Sequence, residues 1–348
     1  MLYSAGLALF LTIIMVLVLR PFAVSIGLLD MPSGRKNHQG AIPLVGGVAI
    51  YAALAISAAV FPFWKSHHGI SLIMLCLPIL IIGVSDDRSD LSVRGRLLVE
   101  VCCCLAAALL FDVRLVTLGE LIPGVELTLG WLSLPVTVFG MVGVMNAYNM
   151  VDGVDGLSGS LAVMTVSALA LLSTGMHDDI SLQLLTAAAA LIGFLIFNSR
   201  FLGRSRAAIF MGDAGTMVIG FILAWYMILL SQGDEATITP VTALWLFAVP
   251  LMDTISVMIR RIRRGCSPFQ ADCEHLHHIF LTRGVNVNRT VLCIMGLQAA
   301  CIAYAFAGLR FEIPQWVSFA LFLTLFALYF MTVSVACGAS SRITNLRK

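Results

Sequence analysis

The chain has 348 residues, of which 59% are hydrophobic and only 11% are charged, and its mean hydropathy is +0.97. These values exclude an ordinary soluble domain. The formal net charge is only +2, so we expect no nucleic-acid partner.

Apolar segments long enough to cross a bilayer recur along the whole chain. They predict an all-α polytopic membrane protein with one domain over residues 1–348 and about eleven transmembrane helices. The predicted segments are 2–19, 44–63, 69–84, 97–111, 130–147, 157–175, 181–197, 214–231, 238–257, 290–308 and 316–336. The first segment has no positive n-region and no small-residue cleavage site, which favours a retained helix over a signal peptide.

The basic residues are distributed unevenly between the predicted loops. Of the 21 lysines and arginines, all but Lys65, Arg114 and Arg310 lie in the C-terminal tail or in loops after odd-numbered segments. The positive-inside rule then places the C-terminus in the cytoplasm and the N-terminus outside. Residues 258–289 form the longest predicted cytoplasmic loop. On the outer surface, 111–130 has Pro-Gly between alternating β-prone stretches, which predicts a small β-hairpin or an irregular loop.

Acidic residues concentrate in the predicted cytoplasmic loops. Asp86 and Asp87 begin the peptide DDRSD, Asp152 and Asp155 stand three apart, and Asp213 lies in FMGDAG. Carboxylates at this density are typical of Mg²⁺ sites, in which one or two carboxylates act together with substrate phosphates. The alternative is a set of solvated loop acids. We predict one site for a charged substrate at the boundary between membrane and cytoplasm.

The peptide NAYNMVDGVDG places a polar side chain at every third position. These residues are Asn146, Asn149, Asp152 and Asp155. A continuous helix would turn the first and last of them to opposite faces. Gly153 and Gly156 allow a turn near Asp152 that brings Asp155 back toward the same centre.

The longest cytoplasmic loop is rich in arginine and histidine. Arg261 and Arg264 are candidate substrate contacts, although topogenic charge and anionic lipid explain such arginines equally well. His275, His277 and His278 suit phosphate binding or acid–base chemistry. A zinc site is a weak alternative because the Cys and His spacing matches no standard zinc motif. Asp253, in the cytoplasmic half of the preceding membrane segment, requires a partner.

Seven peptides together resemble the polyprenyl-phosphate N-acetylhexosamine-1-phosphate transferase family of bacterial membranes: RKNHQGAIPLVGG, SDDRSDLS, NAYNMVDGVDGLSG, FMGDAG, PVTALWLFAVPLMD, RRIRRGCSPF and HLHH. They cover roughly residues 20–283. The resemblance implies transfer of GlcNAc-1-phosphate from UDP-GlcNAc to undecaprenyl phosphate, with release of UMP. It also implies Mg²⁺, with Mn²⁺ as an alternative, in the bacterial inner membrane with the active site facing the cytoplasm. The product would begin lipopolysaccharide O-antigen or a related cell-surface polysaccharide.

The resemblance also assigns roles to individual residues. It implies that Asp86 with Asp87, and Asp152 with Asp155, are the catalytic acid pairs. Asn149 and Asp213 correspond to positions that hold Mg²⁺ and diphosphate. Substrate binding falls to Asn146, Asn149, Arg261, Arg264, His275, His277 and His278. The related peptidoglycan transferase has three consecutive histidines and a lysine where this chain has HLHH and Gln39, which disfavours a muramyl-pentapeptide donor.

Several alternatives stay open on sequence grounds. Another UDP-N-acetylhexosamine could be the donor, and a homodimer is compatible with the sequence. The peptide DDRSD also satisfies the DDxxD motif of prenyltransferases, but DGVDG differs in spacing from the second motif that such enzymes need. A transporter would place its acids near the bilayer midplane, often in repeated halves. We expect Asp90→Asn to cost less activity than Asp87→Asn. The sequence does not decide between direct transfer and a covalent intermediate.

Overall fold

The computed structural model describes residues 2–31, 40–89, 91–201, 203–267 and 274–346, so Gln39 and Asp90 lie outside the described residues. Within these ranges the chain is mostly helical. The helices are α1 (Leu2–Ile26), α2 (Gly46–Val60), α3 (His67–Ser89), α4 (Val93–Leu110), α5 (Ser133–Val151), α6 (Leu157–Ser173), α7 (Asp178–Asn198), α8 (Gly212–Leu229), α9 (Pro240–Leu246), α10 (Ala248–Arg263), α11 (Leu276–Thr282), α12 (Val287–Arg310) and α13 (Gln315–Leu346). The strands β1 (Leu29–Asp30) and β2 (Ile42–Pro43) form an antiparallel pair.

The predicted membrane segments all coincide with helices, and one of them coincides with the bent pair α9 and α10. Among the described residues, seven helices are long and apolar enough to cross a membrane, or eight when the bent pair is one span. Of the others, α2 and α6 are short, and α4 carries charges in its first half. A multi-pass membrane protein is therefore confirmed, while the number eleven and the orientation stay predictions.

Helix α8 is the centre of the bundle. Almost all of its side chains are buried, and it packs against α2, α3 and α5. Its N-terminus lies so close to α2 and α3 that a Cβ added at Gly47 or Gly83 would collide with the α8 backbone at Gly215 or Ala214. Glycine at these crossings therefore brings the end of α3 directly against the start of α8.

The span formed by α9 and α10 is broken at Phe247, where the two helix axes meet at 83°. Pro250 explains the position of the break. Its nitrogen carries no hydrogen for the carbonyl of Leu246, four residues earlier, and its ring clashes with that carbonyl. The chain therefore changes direction between Leu246 and Ala248.

The predicted hairpin at 111–130 is confirmed as a short antiparallel pairing. Leu118 N–H donates to the Leu127 carbonyl at 2.9 Å, and Leu129 N–H donates to the Val116 carbonyl at 2.8 Å. The pairing remains irregular, and the two-stranded sheet instead joins β1 and β2. Helix α4, about 27 Å long at 1.5 Å per residue, separates the hairpin from the C-terminal end of α3, where Asp86 lies.

Candidate active site

Loops that carry the polar motifs meet at one end of the bundle. The 203–211 segment reaches β2 and α2. The Phe210 N–H donates to the Pro43 carbonyl at 2.8 Å, and the Phe210 carbonyl accepts the Gly46 N–H at 3.0 Å. The DGVDG turn lies against α11, because a Cβ added at Gly153 would collide with His277. The described parts of these motifs therefore contact one another, while the single substrate site stays a prediction.

Asp87 binds the N-terminus of α8. Its Oδ1 accepts the Asp213 N–H at 2.8 Å, and its Oδ2 accepts the Ala214 N–H at 3.2 Å. These amides have no partner within their own helix, and the helix dipole favours a negative charge there. Gly212 is required because its φ is +73° and an added Cβ would lie 2.5 Å from Asp87 Oδ2. The glycine of FMGDAG thus permits a contact between α3 and α8.

Asp86 and Asp213 are joined by Arg96 from the first turn of α4. Arg96 Nη1 donates to Asp86 Oδ2 at 2.6 Å and to Asp213 Oδ2 at 2.8 Å. The other oxygen of Asp86 accepts Leu91 N–H at 2.7 Å. From the sequence, Arg96 is only the i,i+4 partner of Glu100, and that pair is present at 3.7 Å. Sequence reasoning missed its contact with Asp213, which is 117 residues away.

The two asparagines of NAYNMVDG take adjacent places beside this cluster. Asn149 Nδ2 donates to Asp213 Oδ1 at 2.8 Å and lies 3.1 Å from Thr216 Oγ1. Asn146, one turn earlier on α5, donates to Glu100 Oε2 at 2.9 Å. We use the name acidic cluster for Asp86, Asp87, Arg96, Asn149 and Asp213. Asn146 is linked to this cluster indirectly, because it donates to Glu100 and Glu100 pairs with Arg96.

The acidic cluster fits a divalent cation by its chemistry. Oxygens of Asp86 and Asp213 lie within 2.8 Å of the same nitrogen of Arg96, so that cationic nitrogen stands between two carboxylates. Carboxylate oxygens at such a position are the donors that Mg²⁺ prefers. Asn149 would have to turn its amide over to present Oδ1. In the described part of the chain, no three His, Cys, Asp or Glu side chains already form a metal-binding group.

Asp152 and Asp155 contact different partners. Asp152 Oδ1 accepts the Ser158 hydroxyl at 2.6 Å, and burial, with the charges of Asp213 and Asp155, raises its pKa to about 6. Asp155 Oδ2 instead accepts Arg200 Nε at 2.6 Å and Ala207 N–H at 2.9 Å. The turn predicted at Gly156 is present, with φ +82°. However, the Asp155 contacts connect this turn to the 199–208 loop.

Asp253 has the partner that its place in the membrane requires. His275 Nδ1 lies 2.8 Å from Asp253 Oδ2, and both side chains are buried. Asp253 Oδ1 accepts Leu276 N–H at 3.0 Å and the Tyr329 hydroxyl at 2.8 Å. One carboxylate therefore positions the start of α11 against α10 and α13.

His277 is buried beside Gly153. Its side chain is 2% exposed, and its Nε2 has no hydrogen-bond partner among the described residues. Burial and the neighbouring His278, whose ring centroid is 4.2 Å away, lower the pKa of His277 to about 3. His277 is therefore neutral near pH 7 and can serve a phosphate only as an uncharged donor. His278 is partly exposed.

The predicted arginines differ in exposure. Arg261 is 5% exposed, whereas Arg264 is largely exposed and pairs with Glu274. Arg260, which the sequence did not single out, is equally buried and donates to the Glu274 carbonyl at 2.8 Å. The start of α11 is thus held to the end of α10 through Glu274.

Comparison with known proteins identifies relatives over most of the chain. The sequence model of glycosyl transferase family 4 matches residues 69–231, which include Asp86, Asp152 and Asp213. The chain is 36% identical to the undecaprenyl-phosphate alpha-N-acetylglucosaminyl 1-phosphate transferase of Salmonella typhi, over 97% of this chain and 92% of the relative. It is 36% identical to the Escherichia coli K12 protein of that name, over 94% and 90%. Identity to the Yersinia pestis protein of that name is 38%, over 90% and 86%. The chain therefore belongs to glycosyl transferase family 4.

Proposed function

We propose that this protein transfers GlcNAc-1-phosphate from UDP-GlcNAc to undecaprenyl phosphate and releases UMP. The relatives' names give the lipid acceptor and the sugar phosphate, at identities of 36% to 38% over most of the chain. The structural observation that carries the proposal is an acidic cluster at the end of a large apolar cleft.

The apolar cleft has a volume of about 1010 Å³ and lies between α4, α5 and α10. Most of the side chains that line the cleft are aliphatic or aromatic. One of them, Phe139, is 81% exposed, so the cleft is open to the surroundings of the protein. Asn146 lines the cleft and connects it to the acidic cluster through Glu100 and Arg96. A prenyl chain would enter this cleft from the bilayer, which is itself apolar, so the cleft would position the chain rather than remove it from water. Its phosphate would then lie near the acidic cluster.

The acidic cluster supports phosphoryl transfer, in which positioning and charge neutralisation do most of the work. Asp86, Asp213 and a turned Asn149 would hold Mg²⁺, which when bound neutralises charge on the diphosphate and on the departing UMP. If a metal ion bound the carboxylates of Asp86 and Asp213, Arg96 would be free to bind a phosphate oxygen. Asp87 keeps the N-terminus of α8 in place.

In the proposed reaction, an oxygen of the lipid phosphate attacks the β-phosphorus of UDP-GlcNAc. The bond from that phosphorus to the bridging oxygen breaks, and UMP leaves with the electron pair. Each oxygen of Asp86 and Asp87 already accepts a hydrogen bond. Direct attack by the lipid phosphate therefore fits better than attack by an aspartate. Either acid could accept a proton from the lipid phosphate.

The proposed orientation places the acidic cluster at the cytoplasmic surface of the bacterial inner membrane. The bias of lysine and arginine toward the loops at this end supports it, and so does the cytosolic origin of nucleotide sugars. Eleven spans remain our proposal, with α2, α4 and α6 crossing in addition to the eight long spans. The product would begin O-antigen or a related surface polysaccharide.

The test uses purified protein in detergent with Mg²⁺, UDP-GlcNAc and undecaprenyl phosphate. We expect UMP release that requires all three, and Asp87→Asn should abolish it. Asp179→Asn is the matched control because Asp179 is an exposed acid in the first turn of α7. Absence of UMP from the wild-type protein would overturn the proposal. Parallel reactions with other UDP-N-acetylhexosamines decide the donor, and consumption of a prenyl diphosphate without nucleotide sugar would favour a prenyltransferase instead.

A further inference from the structure

The break between α9 and α10 removes two backbone groups from the helical hydrogen-bond pattern. The Leu246 carbonyl has no N–H donor at Pro250, and Val249 N–H does not bond the Trp245 carbonyl, which accepts Phe247 N–H. Both groups lie in the apolar interior of the bundle. Unpaired backbone groups in such surroundings are costly, so the break requires outside partners.

One side chain, Gln298 of α12, bonds both groups. Its Nε2 donates to the Leu246 carbonyl at 2.7 Å, and its Oε1 accepts Val249 N–H at 3.0 Å. Gln298 is fully buried. Thr165 of α6 donates to the same Leu246 carbonyl at 2.9 Å. The amide of Gln298 therefore bridges the two sides of the break, since it bonds the last residue of α9 and the second residue of α10.

Helix α10 forms one wall of the apolar cleft, so its direction affects the width of the cleft. Phe247, at the break, lines the cleft and stacks on Tyr148 of α5 with ring centroids 5.5 Å apart. Tyr148 stands between Asn146 and Asn149 in the chain. Leu251, one turn beyond the break, also lines the cleft, whereas Gln298 does not. Gln298 can thus affect a ligand in the cleft only through the positions of α9 and α10, both of which line the cleft.

We propose that Gln298 is a positioning residue that sets the width of the apolar cleft for the prenyl chain of the acceptor. This inference rests on the proposed function, because it assigns the cleft to the acceptor lipid. Gln298 contacts neither the acidic cluster nor the cleft. Its loss should therefore weaken use of a long prenyl chain and leave recognition of the nucleotide sugar intact.

The experiment measures kcat/KM for undecaprenyl phosphate and for the much shorter farnesyl phosphate, together with KM for UDP-GlcNAc. In Gln298→Leu we expect the preference for the longer acceptor to fall about tenfold or more, because small displacements of positioning elements have effects of this order. KM for UDP-GlcNAc should change less than about twofold. Thr165→Val, which removes the second donor to Leu246, should lower the preference about threefold.

Thr186→Val is the control, since Thr186 is also buried but bonds a carbonyl of its own helix. It should leave the preference unchanged. If Gln298→Leu does not yield folded protein, Thr165→Val alone decides the question. A wild-type preference retained in the folded variants would overturn the inference, and so would equal losses with both acceptors. Failure of the wild-type protein to release UMP would instead overturn the proposed function.

Discussion

Replacing Arg96 with glutamine should destabilise the protein strongly. Arg96 bonds Asp86 at 2.6 Å and Asp213 at 2.8 Å, and it lies 3.7 Å from Glu100. The side chains of Asp86 and Glu100 are 9% and 2% exposed. Glutamine keeps a donor but not the charge, so buried carboxylates would lose their cationic partner.

The expected magnitude follows from the burial of these groups. Breaking a buried ion pair by removing one partner costs about 3 to 5 kcal/mol. Arg96 is 18% exposed and Asp213 is 36% exposed, which favours the lower value because water screens part of the interaction. We therefore expect a loss of about 3 kcal/mol in the free energy of unfolding, or about 150-fold in the unfolding equilibrium.

Reversible unfolding in mixed micelles, without divalent cations, measures this loss. The matched control is Arg114→Gln, because Arg114 pairs with Asp112 at 2.8 Å while the two side chains are 50% and 79% exposed. An exposed pair contributes about 0 to 1 kcal/mol. If both variants lost the same stability, Arg96 would not be the ion that neutralises the acidic cluster.

Three further predictions concern the acidic cluster and α11. Added Mg²⁺ should stabilise the Arg96→Gln variant more than it stabilises the wild-type protein, because in the variant a cation can occupy the position between the two carboxylates. Equal gains in the free energy of unfolding, measured in the same assay, would contradict this. Gly212→Ala should abolish UMP release by displacing Asp87, whereas Gly233→Ala, at a similar φ of +80° in open space, should cost only about 1 kcal/mol of stability and no activity. For His277, the unfolded chain binds a proton below pH 6.5 and the folded chain does not until about pH 3, so acid lowers stability over that range. Unfolding at pH 7.5 and 5 should therefore show wild-type protein losing about 2 kcal/mol more than His277→Gln, and equal losses would refute the buried neutral histidine.

The sequence was sufficient to predict the helical segments and the end of the bundle at which polar motifs meet. Hydropathy determines where helices run, and loop parity determines which loops share an end. The same reasoning brought Asp86, Asp87 and Asp213 together because it assigned each of them to a loop at that end, although the structure places them in the last turns of α3 and the first turn of α8. It also predicted correctly that Asp253 has a partner, since a charge inside a bundle requires one.

The sequence alone does not predict which side chains bond one another at that end of the bundle. Arg96 and Asp213 are far apart in the chain, and local spacing linked Arg96 only to Glu100. Regular spacing placed Asp155 near Asp152, whose pKa its charge raises, but did not predict that the Asp155 carboxylate bonds Arg200. Both outcomes depend on how loops pack, which periodicity does not determine. Pro250 did carry a signal for the helix break, because its missing N–H removes the partner of a specific carbonyl.

The central claim, that a sugar phosphate passes to a lipid phosphate, is tested most directly with UDP-GlcNAc labelled in its β-phosphate. Purified protein, Mg²⁺ and undecaprenyl phosphate are incubated with this donor, and the lipid is extracted. We predict that the label enters the lipid fraction together with GlcNAc and that UMP remains in the aqueous phase. Sugar in the lipid fraction with the label left on the nucleotide would contradict the proposal, as would an absence of both from the lipid.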